Sequence, residues 1–183
     1  KYLTLTPEED TWVFQGDPNA IEGIADMPDL QFGKYAGYAV EAWLKFNLTA
    51  LNIPAGYVVK SATLRLYNTG TGQTPKNGLI EVWNIVNNWA EKTLTWNNKP
   101  TNPYFVNYTN CGFTGSYWMA APDYCRIALN ETDVQKNYGT LSKIYSIALR
   151  APGQPAQTAV LVGYSKENNP SNRPQLDVTI APE

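Results

Sequence analysis

The stretch YAVEAWLKFNLTALNIPAGYVVKSATLRLY, residues 38–67, holds two alternating runs around one turn. In the first, Leu44, Phe46 and Leu48 share one side while Trp43, Lys45 and Asn47 share the other; in the second, Ala62, Leu64 and Leu66 oppose Ser61, Thr63, Arg65 and Tyr67. Period two is the spacing of a β-strand, whose successive side chains leave opposite faces. Between the runs, NIPAG (52–56) supplies the Pro and Gly of a turn. LIEVWNI repeats the pattern, sending Ile80 and Val82 one way and Glu81 and Trp83 the other. Further strands are expected near 11–15, 143–150, 158–164 and 174–180, with TGTGQTPKNG (69–78) as a loop. NETDVQKNYG offers one helical turn or two, capped by Asn130 or Thr132 and ended by Gly139. The pattern predicts an all-β fold, a two-sheet antiparallel β-sandwich of jelly-roll type with at most one short helix, as a single domain over 1–183.

Composition narrows the function. Charge is nearly balanced, 14 basic against 16 acidic residues, so no electrostatic footprint for nucleic acid is present. No apolar run approaches the roughly 18 residues of a membrane helix, and membrane insertion is not expected. The N-terminal KYLTLTPEEDTWVF lacks a charged segment followed by an apolar one and reads as the start of a mature chain. Histidine is absent, which removes imidazole triads and His-ligated metals. Cys111 and Cys125 are the only cysteines and flank a loop, the arrangement of one disulfide in an oxidising compartment; such a bridge would stabilise by roughly 3 kcal/mol. Asn47, Asn107 and Asn130 head N-glycosylation sequons, which fit the same secreted or cell-surface location.

Several sets of residues could carry chemistry. NNWAEKTLTWNNKP (87–100) places Glu91 between Trp89 and Trp96; Glu91 reads either as a carboxylate tied to Thr93 and Thr95 around a turn, or as half of a glycosidase pair with Glu81 or Glu167. Glu167 followed by Arg173 reads as a turn held by a carboxylate–guanidinium pair. For sugar binding, aromatic faces and polar groups are needed together. Trp43, Lys45, Arg65, Tyr67 and Trp83 share outward parity and would form one aromatic, cationic groove if their strands share a sheet; otherwise they lie beneath loops. The loop CGFTGSYWMAAPDYC gathers Phe113, Tyr117, Trp118 and Tyr124, as a plug on the sandwich or as a contact surface. Glu8, Asp10 and Asp177 could hold one structural calcium ion, as could the acidic run with Asp17, Glu22, Asp26 and Asp29; a chain with no cofactor is the other reading.

Taken in order, the strand pair at 38–67, WAEKTLTWNNKP, DVQKNYG, IALRAPG and YSKENNPSNRPQLDVTI resemble DNRLRE-domain proteins, a group with the disaggregatase-related repeats and the alginate-binding type of carbohydrate-binding module. The likeness runs from about Asp10 to Ile180 and rests on W-x-E-x-T-x-T-W-x-x-x-P and on S-x-E followed by R-P-x-L. It implies an extracellular jelly-roll module with no catalytic apparatus, binding an acidic polysaccharide for adhesion or enzyme targeting. Asn137 stands where the family often has Trp, and the cysteine loop is a local elaboration. The alternative use is structural: KYLTLT could add to the sheet of a neighbouring copy, making the chain a filament subunit or tethering it to adjacent domains.

Overall fold

A computed structural model describes residues 1–22, 29–72, 80–101, 104–109, 113–114, 117–118, 124–151 and 159–183. The strands are β1 (Tyr2–Leu5), β2 (Glu9–Phe14), β3 (Asp29–Tyr35), β4 (Tyr38–Asn47), β5 (Tyr57–Gly72), β6 (Ile80–Ile85), β7 (Tyr104–Thr109), β8 (Phe113–Thr114), β9 (Tyr117–Trp118), β10 (Tyr124–Leu129), β11 (Ile144–Arg150), β12 (Ala159–Tyr164) and β13 (Gln175–Pro182). A 3-10 turn (Thr49–Leu51) follows β4, and one helix, α1 (Glu131–Tyr138), precedes β11. Two antiparallel sheets form a sandwich, as the alternation predicts. One sheet runs β1–β13–β5–β10; the other runs β2–β4–β11–β6–β7, and β3 and β12 join β4 to the far end of β5. The long β5 extends through 69–72, which sequence composition assigns to a loop; residues 73–79 lie outside the described set. β3, β7 and β10 are not among the strands expected from the sequence, whereas β1 falls within KYLTLT.

The core between the sheets is the one the opening stretch dictates. Leu44, Phe46 and Leu48 meet Ala62, Leu64 and Leu66, joined by Ile127, Ile147, Leu176 and Val178. Asn130 caps α1 by accepting from the Thr132 N–H at 2.9 Å, and Val134 seats the helix in the core.

β4 is buried on its other face as well. Trp43, Val13, Ile85 and Ala148 pack beneath Trp89 and Leu94 of segment 86–101, which lies over that sheet as a cover. Burial on both sides takes in Trp43 together with Glu41 and Lys45, which are buried there with ion-pair partners.

The β3–β4 connection is a two-residue hairpin. Tyr35 pairs with Tyr38, and Ala36 (φ 48°) and Gly37 (φ 87°) both take positive φ, as a type I′ turn requires. Alanine is a costly choice there, because its Cβ crowds the carbonyl in the left-handed region. Ala36→Asn is expected to stabilise by about 0.5–1 kcal/mol, read from chemical denaturation; a loss of stability would contradict the turn assignment.

Candidate binding faces

Sequence parity offers Trp43, Lys45, Trp83, Arg65 and Tyr67 as one groove, and the tertiary structure splits them. Trp43, Lys45 and Trp83 belong to the sheet covered by segment 86–101, whereas Arg65 and Tyr67 belong to the opposite sheet. Trp43 has no exposed surface, meets Trp89 edge to face at 5.7 Å, and donates its indole N–H to Glu41 at 3.2 Å. Lys45 is buried, paired with Glu9 and the Trp89 carbonyl, its ammonium 4.5 Å from the Trp89 ring. Trp83 is held by Glu81 at 2.8 Å and lies 4.7 Å from the Arg150 guanidinium. Parity alone cannot tell an open face from a covered one.

The cover is fastened by ion pairs. Glu41 takes Lys99 at 2.8 Å and Arg150 at 2.9 Å, and Lys99 sits 3.2 Å from the Trp96 ring centre. Burial pushes the Lys99 ammonium below its usual range, against the pull of Glu41. Glu91 does not tie to Thr93 and Thr95: Thr93 donates to the Ala90 carbonyl and Thr95 exchanges bonds with Asn98. Glu91 pairs with Lys166 at 2.6 Å. Lys166 also pairs with Glu167, and its backbone N–H donates to Asp10 at 2.7 Å.

Asp10, Glu91 and Glu167 therefore converge, one oxygen of each lying within 4.8 Å of the others. Among the described residues these are the carboxylates grouped closely enough to hold a cation, and the Lys166 ammonium already serves two of them. Asp10 is 2% exposed and one of its oxygens has no hydrogen-bond partner. Burial, with Glu167 adding, pushes the Asp10 carboxyl well above the ordinary range, and burial pushes Glu91 up. Burial also opposes charge on Lys166 and Glu167, but their mutual hydrogen bond wins, holding Lys166 up and Glu167 down. Glu91 and Glu167 do face each other as a glycosidase pair would. However, Glu91 is only 7% exposed and an ammonium stands between them.

Of the residues expected around calcium, Glu8 is exposed and Asp177 lies on the other sheet against Arg65, so the two do not group with Asp10. In the acidic run, Asp29 stands within β3 and Asp26 lies outside the described residues. Arg173 donates to the Asn168 carbonyl at 2.9 Å and is not paired with Glu167. KYLTLT pairs within its own chain, Tyr2 to Leu5 running along Thr179 to Leu176.

The outward residues of the other sheet are half-exposed or exposed. Along β5, β10 and β13 every second residue is buried, and the residues between them point away from the core. Register sets them in rows across the strands: Tyr67 beside Tyr124, Gln175 beside Arg65 beside Arg126, and Thr4 beside Asp177 beside Thr63. Tyr67 stacks on Tyr164 at 5.6 Å and meets Tyr124 edge to face at 5.1 Å. The Arg65 guanidinium lies 5.0 Å from the Tyr124 ring and grips Asp177, Nη2 donating at 3.0 Å. Burial would raise the Asp177 carboxyl, but bonds from Thr4, Arg65 and Tyr2 outweigh it and hold the group below the usual carboxylate range. Arg126 is exposed.

Three of the sequence-nominated binding residues, Arg65, Tyr67 and Tyr124, are thus brought together, with Arg126 and Gln175 added by register and Tyr164 by ring stacking. The side chains of Tyr117 and Trp118 lie outside the described residues, as do Cys111 and the Asn107 side chain. Cys125 is buried beside Leu66, and no described cysteine is free. Asn47 and Asn130 are both exposed.

Among the described residues, no helix is long and apolar enough to cross a membrane. No curated protein matches the chain. The model of carbohydrate-binding module family 96 matches residues 1–180, and the chain belongs to that family of typically non-catalytic modules, whose ligand is a carbohydrate.

Proposed function

We propose that the chain is a non-catalytic extracellular module that binds an acidic polysaccharide on the outward face of the β1–β13–β5–β10 sheet. The observation that carries this reading is the direct cross-strand pairing of Arg65 with Arg126 beside three clustered tyrosines. Like charges placed opposite each other in a sheet are destabilising. Asp177 pairs with Arg65 and moderates that repulsion. A uronate carboxylate laid across the pair would meet two guanidinium groups, whose planar fork suits carboxylates. Tyr67 and Tyr124 supply ring surface for sugar C–H groups, and Gln175 and Thr63 supply hydroxyl partners.

The likeness to DNRLRE-domain proteins and to alginate-binding modules supports a secreted or cell-surface setting, used for adhesion or for targeting an enzyme. A Cys111–Cys125 bridge belongs to the same proposal, as does glycosylation at the exposed Asn47 and Asn130. The rival use, assembly of copies by strand addition, has a place in the fold because β1 forms an edge of its sheet. Affinity electrophoresis through gels of alginate, polygalacturonate and a neutral glucan separates these readings when combined with light scattering. Retardation of a monomer by the uronate gels alone is the expected result. Filaments that ignore all three gels would replace this reading with the structural one.

A further inference from the structure

The binding face above leaves one exposed aromatic group unused. Where β2, β3 and β4 meet at the hairpin, Trp12, Phe14, Gln31, Tyr35 and Val40 line a cavity of about 200 Å³. Phe14 meets the edges of two tyrosines, Tyr35 at 5.9 Å and Tyr38 at 6.1 Å. Those tyrosines are 54% and 50% exposed, among the most exposed large apolar side chains of the described residues. Exposing ring surface next to a hollow costs hydration free energy, and the two-residue turn holds both rings in fixed register.

The chemistry of the walls specifies what enters. None of the described lining residues is charged, in contrast to the arginine face, so the pocket offers a uronate carboxylate no counter-charge. The Trp12 indole nitrogen is buried and without an acceptor, so carbon is what Trp12 turns to the cavity. Gln31 contributes an amide, able both to donate and to accept. Pockets for drug-sized ligands begin near 300 Å³, and this one is smaller. Ring faces, a single amide and this volume together fit one uncharged sugar ring.

We infer that the Trp12–Phe14–Tyr35 pocket is a second carbohydrate site, selective for a neutral sugar residue and separate from the arginine face. This rests on the carbohydrate-binding reading, and it makes the module bivalent: a charged polymer on one sheet, a neutral unit at the hairpin. Gly16 fits the same site, because a Cβ there would come within 2.3 Å of the Phe14 ring tip. Gly16→Ala is therefore a way to displace that ring without deleting any pocket residue.

The test is titration of the whole chain with neutral tetrasaccharides of glucose, mannose and galactose, each to roughly 10 mM, while the tryptophan indole N–H resonances are followed. Trp12→Phe identifies the Trp12 signal. The expected result is that one sugar shifts the Trp12 indole, that Tyr35→Ala or Gly16→Ala weakens that titration about tenfold, and that about 0.5 M NaCl and Arg126→Ala leave it unchanged. If uronate polymers bind but no neutral sugar moves the Trp12 signal, this inference alone fails. It fails equally if the shift survives Tyr35→Ala and disappears in Arg126→Ala. A chain that binds neither class of glycan overturns both this site and the proposed function.

Discussion

Arg126→Ala is expected to weaken binding of a uronate polymer by about 10- to 100-fold, the worth of one charge-assisted hydrogen bond. The same change is expected to leave stability within about 0.5 kcal/mol or to raise it slightly, because Arg126 is exposed and sits opposite Arg65. A residue kept for packing would show the reverse, with stability lost and affinity kept. Arg126→Lys separates charge from shape, since the ammonium retains the salt dependence of binding but loses the planar fork. Arg65→Ala would be a poorer probe, because it also strands Asp177. Isothermal titration with alginate oligomers at two salt concentrations, beside thermal melts, reads all of this. Full affinity in Arg126→Ala would remove the arginine face from the binding site.

The second large effect lies in the cluster around Lys166. Lys166→Met is expected to cost about 3 kcal/mol at neutral pH, because Glu91 and Glu167 lose their shared cation beside an already buried Asp10. The pH dependence has a definite sign. The folded-state carboxyls of Asp10 and Glu91 are raised by burial, so their ionisation opposes folding. That penalty is full above their folded values and vanishes as pH falls toward about 4, where the unfolded groups also protonate. Without the ammonium all three carboxyls rise further. The gap between Lys166→Met and the parent should therefore narrow as pH drops from 7.5 to about 5. Glu167 and Asp177, held low in the parent, act oppositely: their contribution is lost only as pH falls through their depressed folded values. Melts across that pH range test the assignment, and a gap that widens in acid would show that Lys166 does not neutralise the cluster.

The motif residues illustrate how far sequence reading reached. Asp10, Glu91 and Glu167 come from three distant segments, each conspicuous as a carboxylate in an apolar or turn-rich run. The sequence offers Glu91 and Glu167 as one candidate pair, but the addition of Asp10 and the place of Lys166 between them are invisible in it, because no spacing rule connects segments that meet only when the sheets close. Trp89 and Trp96 stand out in sequence only as the residues that bracket Glu91; in the fold Trp89 seals the outer face of β4 and Trp96 packs against that cluster. The pocket at the hairpin left little trace, since Trp12, Gln31 and Tyr35 lie on two strands, one of them without clear alternation.

By itself the sequence determined the strand period, the inward set of Leu44, Phe46, Leu64 and Leu66, the single capped helix, and the absence of histidine chemistry. These follow from local stereochemistry and composition, which need no knowledge of partners. Only the tertiary structure decided which outward face meets solvent: parity is the same on both sheets, but segment 86–101 folds over one, whereas on the other the described outward residues stay half-exposed or, like Arg126, exposed. The physical reason is that alternation fixes the direction of a side chain relative to its own strand, whereas exposure depends on what distant chain comes to rest above it.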